Sequence, residues 1–318
     1  MIITKKSTPQ GEIISLENPV SQEKAVINAT VGATLIQLDL AIDEQIESII
    51  ALPGSEKYAL EENPYHPSAL LAPWVNRVRN GNYSFLGRNY QLPINEPSFG
   101  NAIHGFLARK PFVLSHEESH SDYCKATFSY KYDGQSFEGF PFAFTFDLTY
   151  NLSVKGKLEI HFHIQNQGKE KMPFACGWHP YFGFQNTDIQ ACEVKFSAIS
   201  KFISDSQMIP FKSETVDYQK GAKLSDVQLD NVFLLEKSTY HTSELSDLIH
   251  NKSIYIGHSS EIFPYFVAFV PEGYSCIALE PMTANTDAFN TLEGLISLEA
   301  KEEFNGKVDV WVGKSSAS

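Results

Sequence analysis

Nothing in the 318-residue chain approaches the run of about 18 apolar residues that a membrane span requires. Basic residues are outnumbered, 25 lysines and arginines against 38 aspartates and glutamates, for a formal charge of −13. That balance argues against a nucleic-acid backbone or an anionic membrane as partner, because both reward basic patches. Cysteine is sparse: Cys124, Cys176, Cys192 and Cys276 are scattered, with no CxxC pair. Free thiols in a reducing compartment fit this pattern better than a disulfide framework or a thiolate zinc site. The opening MIITKKSTPQGEIISL lacks the continuous apolar stretch of a signal peptide, so the expected location is the cytoplasm. Also missing are a GxGxxG before a helix, a P-loop and a GxSxG elbow. Phosphoryl transfer and dinucleotide chemistry therefore have no support.

What the chain does have is strand rhythm. In FPFAFTFDLTYNLSV, Phe142, Phe144, Phe146, Leu148, Tyr150, Leu152 and Val154 alternate with smaller or polar residues, a period of two. Lys155-Gly156 turns the chain, and Leu158, Ile160, Phe162 and Ile164 resume the alternation, which predicts a long antiparallel hairpin. ATLIQLDLAI, NYSFLGRNYQL, KATFSYKY, ACEVKFSA, PYFVAFVP, SCIALEP and KVDVWVG are further strand candidates; SELSDLIH is the best helical one. Many strands without a βαβ rhythm point to an all-β, large antiparallel β-sandwich. One domain over residues 1–313 is expected, with a disordered tail at 314–318.

Four arginines, Arg77, Arg79, Arg88 and Arg109, fall in one short segment, and every other basic residue is lysine. Arginine in a lysine-using chain points to a need for a planar fork of donors. Arg77, in APWVNRVRNG, is the candidate for an inward role; Arg79 and Arg88 read as surface residues. His104 and His179 sit among apolar residues and glycine, although such a histidine taken singly is more often structural than catalytic. His161 and His163 share one strand face, where i, i+2 chelation competes with plain solvation and no third ligand is evident. His66, His116, His120, His241, His250 and His258 have polar neighbours and receive no role. Glu280 ends the apolar run SCIALE ahead of Pro281, which is expected to stop the strand; apolar surroundings raise such a carboxyl toward a useful base range. Asp230 opens a strand and could face a ligand or cap an Asx turn. Two histidines, an arginine and two carboxylates, with no nucleophile or cofactor, suit a reaction made only of proton transfers.

The runs LLAPWVNRVRNGNYSFLGRNYQLPINEP, GNAIHGF, WHPYF, LDNVF and ALEPMTANTDAFN, in this order between residues 70 and 290, resemble the aldose 1-epimerases (galactose mutarotases), and the likeness in order and spacing extends from about residue 30 to residue 312. The resemblance implies a galactose mutarotase-like supersandwich with an open sugar cleft, interconverting the α and β anomers of a free aldose. No cofactor and no metal would be needed, the partner would be a small-molecule sugar, and the chain a monomer or homodimer. By motif, Glu280 becomes the general base and His179 the general acid, acting as carboxylate and imidazolium from opposite edges of one pyranose. His104, Arg77 and Asp230 become substrate-binding residues. IHGF stands where the best-characterised members usually carry a double glycine. Alternatives are a hexose-6-phosphate 1-epimerase using the arginine-rich HGFLARK, a non-catalytic carbohydrate-binding protein, and a glycosidase. The last needs two carboxylates about 5–9.5 Å apart.

Overall fold

Alternating apolar side chains can bury one face of a strand and leave the other to water. The computed structural model, which describes residues 1–315, shows this most simply in the hairpin Phe144–Ser153 and Lys157–Asn166. Phe144, Phe146, Leu148, Tyr150 and Leu152 are buried on one strand, and Leu158, Ile160, Phe162 and Ile164 on the other. Gly156 closes the turn at φ +66°, where a Cβ is costly. His161 lies beside Glu159, and His163 lies between Asp147 and Glu303, on the half-buried face. Among the described residues no group of three or more His, Cys, Asp or Glu side chains could hold a metal ion.

That hairpin belongs to a nine-stranded antiparallel sheet. The strand Glu303–Lys314 lies in its middle, paired with Lys157–Asn166 on one side and Lys252–His258 on the other. A second nine-stranded sheet runs through Ala198–Ser204, Asp230–Leu235, Tyr265–Phe269, Ile277–Met282, Gly177–His179 and Ala69–Leu71. Five further strands from Ile2–Thr8 to Gln45–Ser48 form a third sheet. The inward faces of all three share one apolar core. Each fully buried Phe or Leu there contributes about 1.5–3 kcal/mol before chain entropy is charged. Trp74 is locked among Phe106, Phe137, Phe140 and Phe289, and it fixes the loop that carries Asn76 and Arg77.

Several expectations are corrected. SELSDLIH is not helical: residues 243–247 lie in the strand His241–Asp247, where Glu244 accepts from Ser246 on its own strand and from Ser253 across the ladder. Pairing with strands on both sides outweighs a local helical pattern. The one α-helix among the described residues is Ala288–Thr291, and no helix among them is long and apolar enough to cross a membrane. ACEVKFSA is not one strand, since the chain leaves the first sheet after Lys195 and enters the second at Ala198. Lys314 is still in a strand and the Ser315 N–H donates to the Asn251 carbonyl, so the expected tail is ordered that far; residues 316–318 lie outside the described ones. All four cysteines are buried and unbridged.

His241 and His258 were placed in polar surroundings, yet they are 4% and 1% exposed. Their neighbours in sequence are polar, but strand parity turns both rings inward, His258 stacking on Phe266. Burial, with His241 alongside, lowers the pKa of His258 to about 3, and neither of its ring nitrogens has a partner. The unfolded chain therefore binds a proton below pH ~6.5 that the native state refuses, so stability is lost as pH falls from there toward 3. The expected cost from His258 alone is about 2 kcal/mol by pH 5. His258→Phe should shrink the drop in urea-unfolding free energy between pH 7.5 and pH 5 by about that amount; an unchanged drop would refute the assignment.

Candidate active site

The second sheet sets its chemistry by parity. Glu280 and Val267 are directly opposed, as are Asp230 and Phe269, so all four side chains leave the same face. Leu279, one residue along, enters the core instead. On the neighbouring strand Gly177–His179, Trp178 points to the core and His179 to the open face. Pro281 does not stop the strand, which runs to Met282. Its missing N–H falls on the side of Gly177–His179, where the ladder is already broken to the single pair Gly177–Met282.

Above this face lies a cavity of about 500 Å³ lined by all five expected residues: Glu280, His179, His104, Arg77 and Asp230. His179 Nε2 and Glu280 Oε1 are 3.2 Å apart, with side chains 7% and 2% exposed. The two therefore touch, rather than facing one another across a gap the width of a sugar ring. Burial first, and His66 second, push the His179 pKa down to about 3. Burial first, then the Asp230 charge, push Glu280 well above the ordinary carboxyl value, with Arg77 opposing. Both shifts favour the uncharged forms, so the resting pair is a carboxylic acid beside a neutral imidazole, with one proton between them.

His104 completes the wall, its ring 5.3 Å from that of His179. Burial and the flanking histidines and arginines hold its pKa well below the usual value. Its backbone is left-handed, at φ +62°, as are Asn76 (+47°), His66 (+50°) and Ser68 (+53°). Each such conformation costs a non-glycine residue about 1–2 kcal/mol, and outliers of this kind gather at functional walls. The His104 N–H is held by the Asn76 carbonyl, and Gly105 passes so close to Ala72 that a Cβ would sit 1.9 Å from its carbonyl oxygen.

Arg77 points into the cavity, but not as a free donor. Its Nε and Nη2 donate to the carboxylate of Glu96 at 2.7–3.1 Å, and Nη1 donates to the Asn76 side chain. Glu96 fixes the guanidinium with a bidentate grip and was not foreseen in the sequence. Asp230 is exposed within the concavity, its carboxylate makes no hydrogen bond to a described residue, and its pKa is raised by desolvation against Arg77. No Asx cap is formed. Arg79 binds Asp205 and Gln207, and Arg88 binds Glu170, both away from the cavity. Arg109 lies exposed at the cavity rim without an ion-pair partner among the described residues. His66, given no role from sequence, also lines the wall, its ring 4.9 Å from His104 and 6.4 Å from His179.

Three buried atoms in this wall have no hydrogen-bond partner among the described residues: Oε2 of Glu280, Nδ1 of His179 and Nδ1 of His104. An unsatisfied buried polar group costs about 1–3 kcal/mol, so three around one cavity describe a surface built for a polar ligand. Tyr181, Phe99 and Phe269 give the same cavity aromatic surface.

Comparison with known proteins gives the fold and the family. The chain is 28% identical over 253 residues to the uncharacterized protein YihR of Escherichia coli (strain K12), covering 76% of this chain and 77% of that one. Its fold matches a galactose mutarotase-like protein from Clostridium acetobutylicum at a TM-score of 0.87, with 21% identity and 99% of each chain covered. It also matches galactose 1-epimerase from Lactobacillus acidophilus NCFM at 0.79, with 18% identity and 99% and 98% covered. The family model described as aldose 1-epimerase matches residues 12–311, nearly the whole chain, and the protein belongs to the aldose 1-epimerase family.

Proposed function

We propose that this protein interconverts the α and β anomers of a free aldohexose by opening and reclosing its ring. The observation that carries the reading is the His179–Glu280 contact, buried beside unpartnered atoms in a sugar-sized cavity. The anomeric hydroxyl oxygen and the ring oxygen are borne by one carbon. An acid and a base that adjoin one another can therefore reach both from a single edge.

In the active protonation state Glu280 is the carboxylate and His179 the imidazolium, one proton hop along their contact from the resting pair. Bound sugar favours that hop: hydroxyls donating to Asp230 spread the charge that raises Glu280, while Arg77 lowers it. Glu280 then takes the anomeric hydroxyl proton as the carbon–oxygen double bond forms. The bond from that carbon to the ring oxygen breaks, and its electron pair takes the His179 proton. Rotation next to the aldehyde presents the other face. Reclosure reverses each transfer: His179 recovers the proton of the attacking hydroxyl and Glu280 returns one to the carbonyl oxygen. Each positioned acid or base contributes about 10²–10⁴ in rate.

The unpaired Arg109 favours a second reading, in which a hexose 6-phosphate is the substrate and its phosphate meets this rim. Polarimetry on freshly dissolved α-glucose, α-galactose and α-glucose 6-phosphate, with and without protein, separates the two. Faster decay with the free hexoses is the expected result. A strong preference for the phosphate ester reverses the ranking, and sugar binding with no acceleration makes the protein a non-catalytic binder.

A further inference from the structure

The segment 63–69 is strapped to residues 179 and 181, at the end of the strand that carries His179. The Ser68 N–H donates to the His179 carbonyl, and the Tyr181 hydroxyl donates to the Tyr65 carbonyl. Within the segment, the Asn63 carbonyl accepts from the His66 N–H, and the His66 carbonyl accepts from the Ala69 N–H. The Asn63 side chain reaches back to the Pro53 carbonyl while accepting from the Tyr65 N–H. Left-handed turns at His66 and Ser68 on either side of Pro67 aim the His66 ring at the cavity, edge-on to His104. The strap thus fixes the imbedded backbone at both ends and spends its two strained residues on the direction of one side chain.

No described residue hydrogen-bonds either nitrogen of that ring, although it is half-buried and the segment around it is fully tied. Burial, then Arg109 and Arg77, lower its pKa to about 4. At neutral pH it offers one N–H and one lone pair, which is the pattern a sugar hydroxyl satisfies. His104 and His179 lie nearer each other than His66 lies to His179, so His66 stands outside the contact that serves the anomeric carbon.

The geometry points to His66 as a specificity-determining residue: it hydrogen-bonds a hydroxyl other than the anomeric one and sets the preference between aldoses that differ there. This rests on the reading of the cavity as an aldose site.

The test compares wild type, His66→Ala and His66→Asn on glucose and on galactose, mannose and xylose, each of which differs from glucose in a single ring substituent. Asn tolerates left-handed geometry and keeps a donor and an acceptor. His66→Ala should lower kcat/KM by about tenfold for the preferred aldose and by less than about threefold for one altered at the contacted position, the scale of one hydrogen bond. His66→Asn should recover part of the lost ratio, and it carries the test if the alanine variant does not fold. An equal fall for all four sugars, or ratios that do not move, overturns the proposal and leaves His66 a structural support. If wild type accelerates none of them, the epimerase reading fails on its own, and the ratios of calorimetric Kd for the same sugars decide the role of His66. A wild type that binds none overturns both.

Discussion

Glu280→Gln lowers kcat for anomer interconversion by about 10³-fold while the Kd for sugar stays within about threefold. The amide keeps the shape of the carboxyl beside His179, but it can neither take nor give up a proton at pH 7. Because Glu280 and His179 hold one proton between them, they act as a unit. The Glu280→Gln, His179→Asn double variant should therefore lose little beyond either single variant, not the product of two losses. Steady-state polarimetry gives the rates and titration calorimetry the binding. A Glu280→Gln enzyme that keeps a tenth or more of wild-type activity, on the order-of-magnitude scale set by general catalysis, would remove Glu280 from the chemistry.

Gly105→Ala is the variant expected to do most damage to the fold. The added Cβ would lie 1.9 Å from the Ala72 carbonyl oxygen and 2.3 Å from its carbon, on a backbone at φ +67°. Neither contact is a flexible side chain that can swing aside. That same carbonyl accepts the N–H groups of Phe106 and Leu107, so relieving the clash detaches the loop that aims His104. The expected loss is about 3–5 kcal/mol in urea unfolding, together with most of the activity. Gly87 supplies the control: its φ is +72° but nothing lies within 4 Å of a built Cβ. Gly87→Ala should cost only about 1 kcal/mol, the left-handed backbone alone. Equal losses in the two variants would show that backbone strain, and not the contact with Ala72, governs Gly105.

The hairpin around Gly156 was legible because its alternation is long and a one-residue slip would turn every aromatic side chain outward. Glu280 and His179 were legible as members of recurring short runs, and their meeting follows from adjacent strands. Glu96 was not, because its value lies in which loop folds over Arg77, and that depends on contacts far from either residue. His66 sits in NPYHPS, where the proline and serine read as an exposed turn; only the strap to residues 179 and 181 draws it into the wall. His241 and His258 misled for a related reason: polar neighbours in sequence say nothing about parity in a sheet. Pro281 seemed to end a strand because the rule concerns a missing donor, and here the missing donor faces a gap in the ladder.

The central place of Glu303–Lys314 in its sheet bears on how the chain is made. Until that segment leaves the ribosome, Lys157–Asn166 and Lys252–His258 each present an unmet row of backbone donors and acceptors. Until then the nascent chain must keep these two edges from joining each other or another chain. A truncation before residue 303 would take away the middle of the sheet rather than its border, leaving two half-sheets instead of a slightly smaller sandwich.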